Sequence, residues 1–192
     1  EELQVKGPTV MKGYWKRPDA TAEVFTEDGW FRTGDQADLS DAGRIRIKGR
    51  IKEIIVTSTG EKIPPTDMEL AIQTDPLFEQ VMVVGEARPF ITALAVVNEA
   101  EWEKFAKEFN VDPSDDRMLM RRDIRMAALK RLKKAASRFP QYGIPRNIRL
   151  LKEHWTVDNG CLTVTMKLRR PIIREKLRAE IDELYTVPQN NV

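Results

Sequence analysis

Apolar and polar positions alternate with period two through the first quarter of the chain, then give way to continuous apolar runs and three-and-four spacing. Leu3-Gln4-Val5 and Arg44-Ile45-Arg46-Ile47-Lys48 alternate as strands, and Asp28-Gly29 signals a turn between them. The second strand puts Ile45 and Ile47 on one face and three cations on the other, which predicts cover on one side only.

Beyond Arg50 the run from Glu53 to Thr57 is β-branched and short, Thr59-Gly60-Glu61-Lys62 turns, and Pro64-Pro65 delays helix until Thr66. Thr66 and Glu69 fit a capping box for a short helix that faces Met68, Ile72 and Leu70 inward and ends before Pro76. Phe78–Val84 and Ile91–Val97 read as strands around Gly85–Pro89. Trp102, Phe105, Ala106 and Phe109 are spaced as one face of a helix over Glu99–Phe109, and Asn110–Asp115 is a connector. The stripe Ile124, Ala128, Leu132, Ala135, Phe139 predicts one long helix over Asp116–Phe139, basic on its opposite face. Pro140 and Gly143-Ile144-Pro145 end it, Ile148–Leu151 suggests a strand, Pro171–Leu184 a closing helix, and Val187–Val192 a frayed tail. The expected fold is α+β: a β-rich first part, then a small sheet with helices, with the change of character near Arg50 to Glu53.

Composition narrows the function classes. A 192-residue chain with 41% hydrophobic residues has enough apolar mass for a core, and 32 basic against 30 acidic residues leaves no overall charge excess of the kind that marks nucleic-acid binding. Cys161 is the lone cysteine and no metal-ligand spacing is visible, so no metal site is expected and a reducing, cytoplasmic setting is. With no long apolar run and no leader pattern, the chain is expected to be soluble. Its first residues already alternate like a strand and no methionine opens it, which suggests a piece cut from something longer. No nucleophile motif accompanies His154, the single histidine, which argues against a hydrolytic triad.

Two segments carry the chemistry: Gly29-Trp30-Phe31-Arg32-Thr33-Gly34-Asp35, and the run from Gly49-Arg50-Ile51-Lys52-Glu53 through Ser58-Thr59-Gly60-Glu61-Lys62-Ile63-Pro64-Pro65. An isolated Thr-Gly-Asp is most simply an Asx turn. Here it follows Gly13-Tyr14-Trp15-Lys16-Arg17-Pro18, Thr21 and Phe25, and together these segments resemble the ribose-binding and hinge motifs of the adenylate-forming (AMP-binding) acyl-CoA synthetases. Near the C-terminus, Asn159-Gly160-Cys161-Leu162-Thr163-Val164-Thr165-Met166-Lys167-Leu168-Arg169-Arg170 is similar to the segment with that family's adenylation lysine, in the version of the long-chain fatty acid-CoA ligases.

The resemblance implies that residues 1–51 end a large nucleotide-binding domain and that 52–192 form a mobile C-terminal domain. It implies that Asp35 and Arg50 hold the ribose of ATP, Lys52 is the hinge, Thr59, Gly60, Glu61 and Lys62 line the coenzyme A passage, and Lys167 serves adenylation. Fatty acid, ATP and coenzyme A are the implied substrates, with Mg²⁺ accompanying ATP on ligands outside this chain. Two departures stand out: Lys52 where many relatives have Asp, and Met166 where many have Gly. The family's phosphate loop and acyl pocket are missing, so the partner is an N-terminal domain of the same enzyme and the chain alone is expected to be inactive. An alternative is a non-catalytic module in which Arg122, Lys130, Lys133, Lys134 and Arg138 bind a membrane surface or an acidic partner. Core packing explains the adjoining stripe more simply, and nucleic acid is weaker still without aromatic platforms.

Overall fold

Strand pairing organises the chain into two compact units, Glu1–Ile54 and a second beginning at Ile55, in a computed structural model that describes residues 1–41 and 43–186. The expected frayed tail, 187–192, lies outside the described residues.

In the first unit β1 (Glu2–Val5), β2 (Phe31–Asp38) and β3 (Arg46–Arg50) form an antiparallel sheet in chain order. Helix α1 (Pro18–Val24) starts on proline, whose fixed φ suits the first helical turn, and buries none of its residues. Ala37 is the one buried residue among those described in this unit. The expected cover over the isoleucine face is therefore absent within it: Ile45 and Ile47 are 61% and 48% exposed. Alternation reveals an apolar face without supplying a second layer; the strands are joined by ladder hydrogen bonds, and Lys48 stands 2.9 Å from Asp38 across β2 and β3. The unit closes in a single 3₁₀ turn, Ile51–Glu53.

The second unit opens with the short hairpin of β4 (Ile55–Val56) and β5 (Lys62–Ile63), so the expected Glu53–Thr57 strand shrinks to its centre. Helix α2 (Pro65–Ile72) leads into β6 (Phe78–Val84), β7 (Thr92–Val97), α3 (Glu99–Glu108), α4 (Arg122–Ala135), β8 (Asn147–Leu151), α5 (Arg170–Lys176) and α6 (Arg178–Thr186). The sheet order is β6-β7-β8, antiparallel then parallel, the parallel step made possible by the long excursion through α3 and α4.

Both faces of this sheet are covered, which is why β7 is apolar at nearly every position rather than alternating. Val81, Val83, Ala93, Ala95, Ile148 and Leu150 pack with Met68 and Ile72 of α2, Trp102 and Phe105 of α3, and Ile124, Ala128 and Leu132 of α4. The intervening Met82, Val84, Leu94 and Val96 pack with Trp155, Leu162, Ile173, Ile181 and Leu184. Burial of a single such side chain is worth about 1.5–3 kcal/mol, so this unit, unlike the first, owns a core.

Three local expectations are corrected. The Thr66–Glu69 capping box does not form: Pro64 is the N-cap, Thr66 is exposed, and Glu69 is buried toward β6, while Leu70 faces solvent. The long helix is a 3₁₀ turn (Asp116–Met120) followed by α4, broken at Arg121 with φ −58° and ψ 132°. Leu119 and Ile124 would point about 140° apart on one continuous helix; the break lets both enter the same cluster. The closing helix is likewise two, meeting at Leu177, whose side chain packs against the second cluster.

Candidate functional site

Asp35 lies late in β2, directly across the ladder from Arg50 at the end of β3. Gly34, at φ +72°, turns the strand so that the Thr33 hydroxyl accepts from the Asp35 amide (3.1 Å) while donating to the Leu3 carbonyl (2.7 Å). Arg50 Nε stands 3.0 Å from Asp35 Oδ1, and its Nη1 donates to the Thr33 carbonyl at 3.2 Å. The guanidinium thus clamps one carboxylate oxygen and leaves Oδ2 without a protein partner among the described residues. An ionised carboxylate is acceptor-only, so Oδ2 is suited to hydroxyl donors such as a sugar diol.

Lys52 occupies the middle of the 3₁₀ turn Ile51–Glu53, exposed and flanked by extended backbone at Arg50 and Ile54. A short 3₁₀ turn between extended residues is a place where a chain can change direction.

Residues 57–61 form the tip of the β4–β5 hairpin. The Thr57 amide donates to the Glu61 carbonyl (3.0 Å), the Glu61 amide donates to Thr57 Oγ1 (3.1 Å), and Gly60 takes φ +84°. Thr57 is buried, whereas Thr59, Gly60, Glu61 and Lys62 are exposed. A second loop braces the tip: Ser58 N donates to the Arg88 carbonyl (3.0 Å) and Ala87 N to the Val56 carbonyl (2.9 Å). Arg88 in turn pairs with Asp182 and lies 4.8 Å from the Tyr185 ring centroid. The Tyr185 hydroxyl, 3.1 Å from Thr92 Oγ1 and facing the Val84 and Phe90 carbonyls, is held above its ordinary pKa, chiefly by burial.

Lys167 closes a tight turn between Leu162 and Leu168, which bridge one another. The Met166 amide donates to the Thr163 carbonyl (2.8 Å), and the Lys167 amide to Thr163 Oγ1 (3.1 Å). Met166 sits at φ +60°, the left-handed region where a glycine is at ease. Val164 and Met166 are 86% and 68% exposed, and the exposed Lys167 makes no ion pair among the described residues.

The two cations that follow Lys167 have different surroundings. Arg169 donates to the Gly160 carbonyl at 3.3 Å, and Arg170 is bidentate on Glu69 with both contacts at 2.6 Å. Sequence reading missed that pair. Glu69 was claimed by a local capping pattern, although its place between Met68 and Ile72 on an inward face was a signal, since a buried acid demands a partner. His154 Nε2 stands 3.2 Å from Glu79 Oε1 and Cys161 is buried among apolar side chains, so neither joins the candidate groups.

The AMP-binding enzyme C-terminal domain matches residues 52–188, and the chain belongs to that family. It is 36% identical to a long-chain-fatty-acid–CoA ligase of Mycobacterium tuberculosis, FadD15, over 96% of this chain and 31% of that protein. It is 35% identical to long-chain-fatty-acid–CoA ligase 1 of Cavia porcellus, over 96% of this chain and 27% of that one. Among solved structures, the adenylation domain of a carboxylate reductase from Mycobacterium chelonae superposes with TM-score 0.82 at 28% identity, covering 97% of this chain and 28% of the other. A carboxylic acid reductase domain from Segniliparus rugosus, in complex with AMP and a co-purified carboxylic acid, gives TM-score 0.79 at 28% identity, covering 96% and 28%. The chain thus spans less than a third of the length of these proteins.

Proposed function

We propose that this chain is the C-terminal part of an ATP-dependent acyl-CoA ligase acting on a long-chain fatty acid, with residues 1–51 ending the nucleotide-binding domain and 52–192 forming the mobile one. In the first step a carboxylate oxygen attacks the α-phosphorus of ATP and the bond to the bridging oxygen breaks, releasing pyrophosphate. In the second, the coenzyme A thiolate attacks the acyl carbon and AMP leaves.

Asp35, steadied by Arg50, accepts from the ribose hydroxyls. Lys52 absorbs the backbone rotation between steps, and Thr59, Gly60, Glu61 and Lys62 border the path of the thiol. Lys167 brings its ammonium to the oxygens of carboxylate and α-phosphate, where a charge at about 4 Å and reduced dielectric is worth roughly 4 kcal/mol. Mg²⁺ bound with ATP would supply counter-charge to the phosphates; among the described residues no cluster of three or more His, Cys, Asp or Glu is present.

The observation that carries this reading is Lys167 itself, exposed and without an ion pair among the described residues, at the tip of a turn rooted in a buried core. The reading predicts no ATP-dependent acyl-CoA formation by residues 1–192 alone and turnover by the full-length enzyme; robust turnover by the isolated chain refutes the half-site assignment.

The exposed face of α4, with Arg122, Lys130, Lys133, Lys134 and the nearby Arg138, favours a further surface contact. No helix among the described residues is long and apolar enough to cross a membrane. The reading places the enzyme in the cytoplasm, with these cations in peripheral contact with anionic lipid. Vesicle binding abolished at high salt supports that contact, and salt-independent or absent binding refutes it.

A further inference from the structure

We infer that Glu69 is a positioning residue for Lys167, acting through Arg170. The inference rests on the assignment of Lys167 to the adenylation step. Glu69 is 5% exposed as a residue, and its carboxylate receives Arg170 Nη1 on Oε1 and Nη2 on Oε2, both at 2.6 Å. Oε1 also accepts from the Val83 amide at 2.8 Å. One buried carboxylate therefore joins α2, the end of β6 and the first residue of α5.

Arg170 follows Lys167 by three positions, with only Leu168 and Arg169 between. The exposed turn that carries Lys167 has local bonds of its own, all through Thr163, so its direction is set by its two roots. One root is Leu162, buried and with its amide on the Thr156 carbonyl at 2.9 Å. The other is Leu168 to Arg170, where Arg169 N donates to the Cys161 carbonyl at 2.8 Å and the planar fork of Arg170 fixes orientation as well as distance. A buried ion pair adds little net stability over apolar residues of like volume, because both charges lose their water; what it supplies here is a single geometry. An ammonium that must meet two developing anions depends on that geometry, and a misplacement of about 1 Å costs on the order of 10²-fold in rate.

The test is a double-mutant cycle in the full-length enzyme containing this chain, using wild type, E69Q, K167A and E69Q/K167A. Two half-reactions are read: single-turnover pyrophosphate release, and thioester formation from supplied acyl-adenylate. E69Q is expected to slow pyrophosphate release by on the order of 10²-fold while leaving thioester formation within about twofold. In the K167A background E69Q should change pyrophosphate release by less than about twofold, because the group it positions is gone. Arg170→Lys, which keeps the charge and loses the fork, should give the same step-selective loss and serves if E69Q folds poorly. Equal losses in both half-reactions, or a full E69Q loss on top of K167A, overturn the inference and leave the pair purely structural. A K167A enzyme that forms adenylate normally overturns instead the reading of Lys167 beneath it.

Discussion

Asp35 and Arg50 are cross-strand partners whose side chains meet at 3.0 Å, so the two groups assigned to the ribose form one unit on adjacent strands. Arg50 is more than half exposed, and a pair of that kind adds under about 1 kcal/mol to stability. Its value lies in aim: with Oδ1 occupied, the carboxylate has one orientation. Asp35→Ala in the full-length enzyme should raise the KM for ATP by on the order of 10²-fold, from the loss of two hydrogen bonds to a charged acceptor. Arg50→Ala should raise it by about tenfold or less, and the double variant should fall short of the product of the two. Steady-state kinetics on the three variants checks this, and independent, multiplying effects contradict the coupling.

Met166 occupies a left-handed conformation that costs a non-glycine residue about 1–2 kcal/mol. Met166→Gly trades that cost against the larger chain entropy of glycine and should be neutral or stabilising by up to about 1 kcal/mol. Met166→Val, β-branched at the same φ, should destabilise by on the order of 1–2 kcal/mol and slow adenylation by displacing Lys167. Urea unfolding of both variants, with single-turnover pyrophosphate release, separates the effects. Equal behaviour of the two variants contradicts the assigned conformation.

Tyr185 gives the fold an alkaline dependence. Burial raises its pKa in the folded chain, so the unfolded chain deprotonates first; the contribution is fully present below an ordinary tyrosine pKa of 10.0 and is lost as pH rises through the folded value. Tyr185→Phe should lower stability near neutral pH, since Thr92 Oγ1 loses a partner, and should flatten the fall above about pH 10. Denaturant midpoints measured at neutral and alkaline pH test the difference in slope; identical slopes contradict the burial argument.

The basic face of α4 makes a separate prediction. Replacing Lys130, Lys133 and Lys134 together by Gln removes three exposed charges and should weaken binding to anionic vesicles, at about 1 kcal/mol per cation near the surface, without changing turnover of a water-dispersed substrate. Sedimentation with vesicles at two salt concentrations reads the first quantity, and unchanged binding refutes the surface contact.

Much of the second unit was legible because its signals are local. Phe78–Val84 and the run around Ala93 to Val97 are apolar enough to read as strands, and Trp102, Phe105 and Ala106 mark the inward face of α3. What escaped is non-local. Periodicity showed that Ile45 and Ile47 share a face but not that the unit lacks a layer to cover it. The stripe through Ile124 predicts one long helix but carries no sign of the break at Arg121, which lets Leu119 and Ile124 enter the same cluster. Glu69 and Arg170 lie 101 positions apart, so no window joins them, and the nearer capping pattern claimed the acid. Asp35, Arg50 and Lys167 are marked in the sequence only by the resemblance; the structure sets the first two across a ladder from one another and the third on a turn between Leu162 and Leu168.

The most direct measurement is the pair of half-reactions of the full-length enzyme with Lys167→Ala. Adenylate formation, followed as pyrophosphate release, should fall by on the order of 10³-fold, as expected when a group worth roughly 4 kcal/mol is removed from the reacting phosphate, while coenzyme A should still be acylated at nearly the normal rate from supplied acyl-adenylate. Equal loss of both half-reactions, or no loss of the first, contradicts the assignment of Lys167 to adenylation.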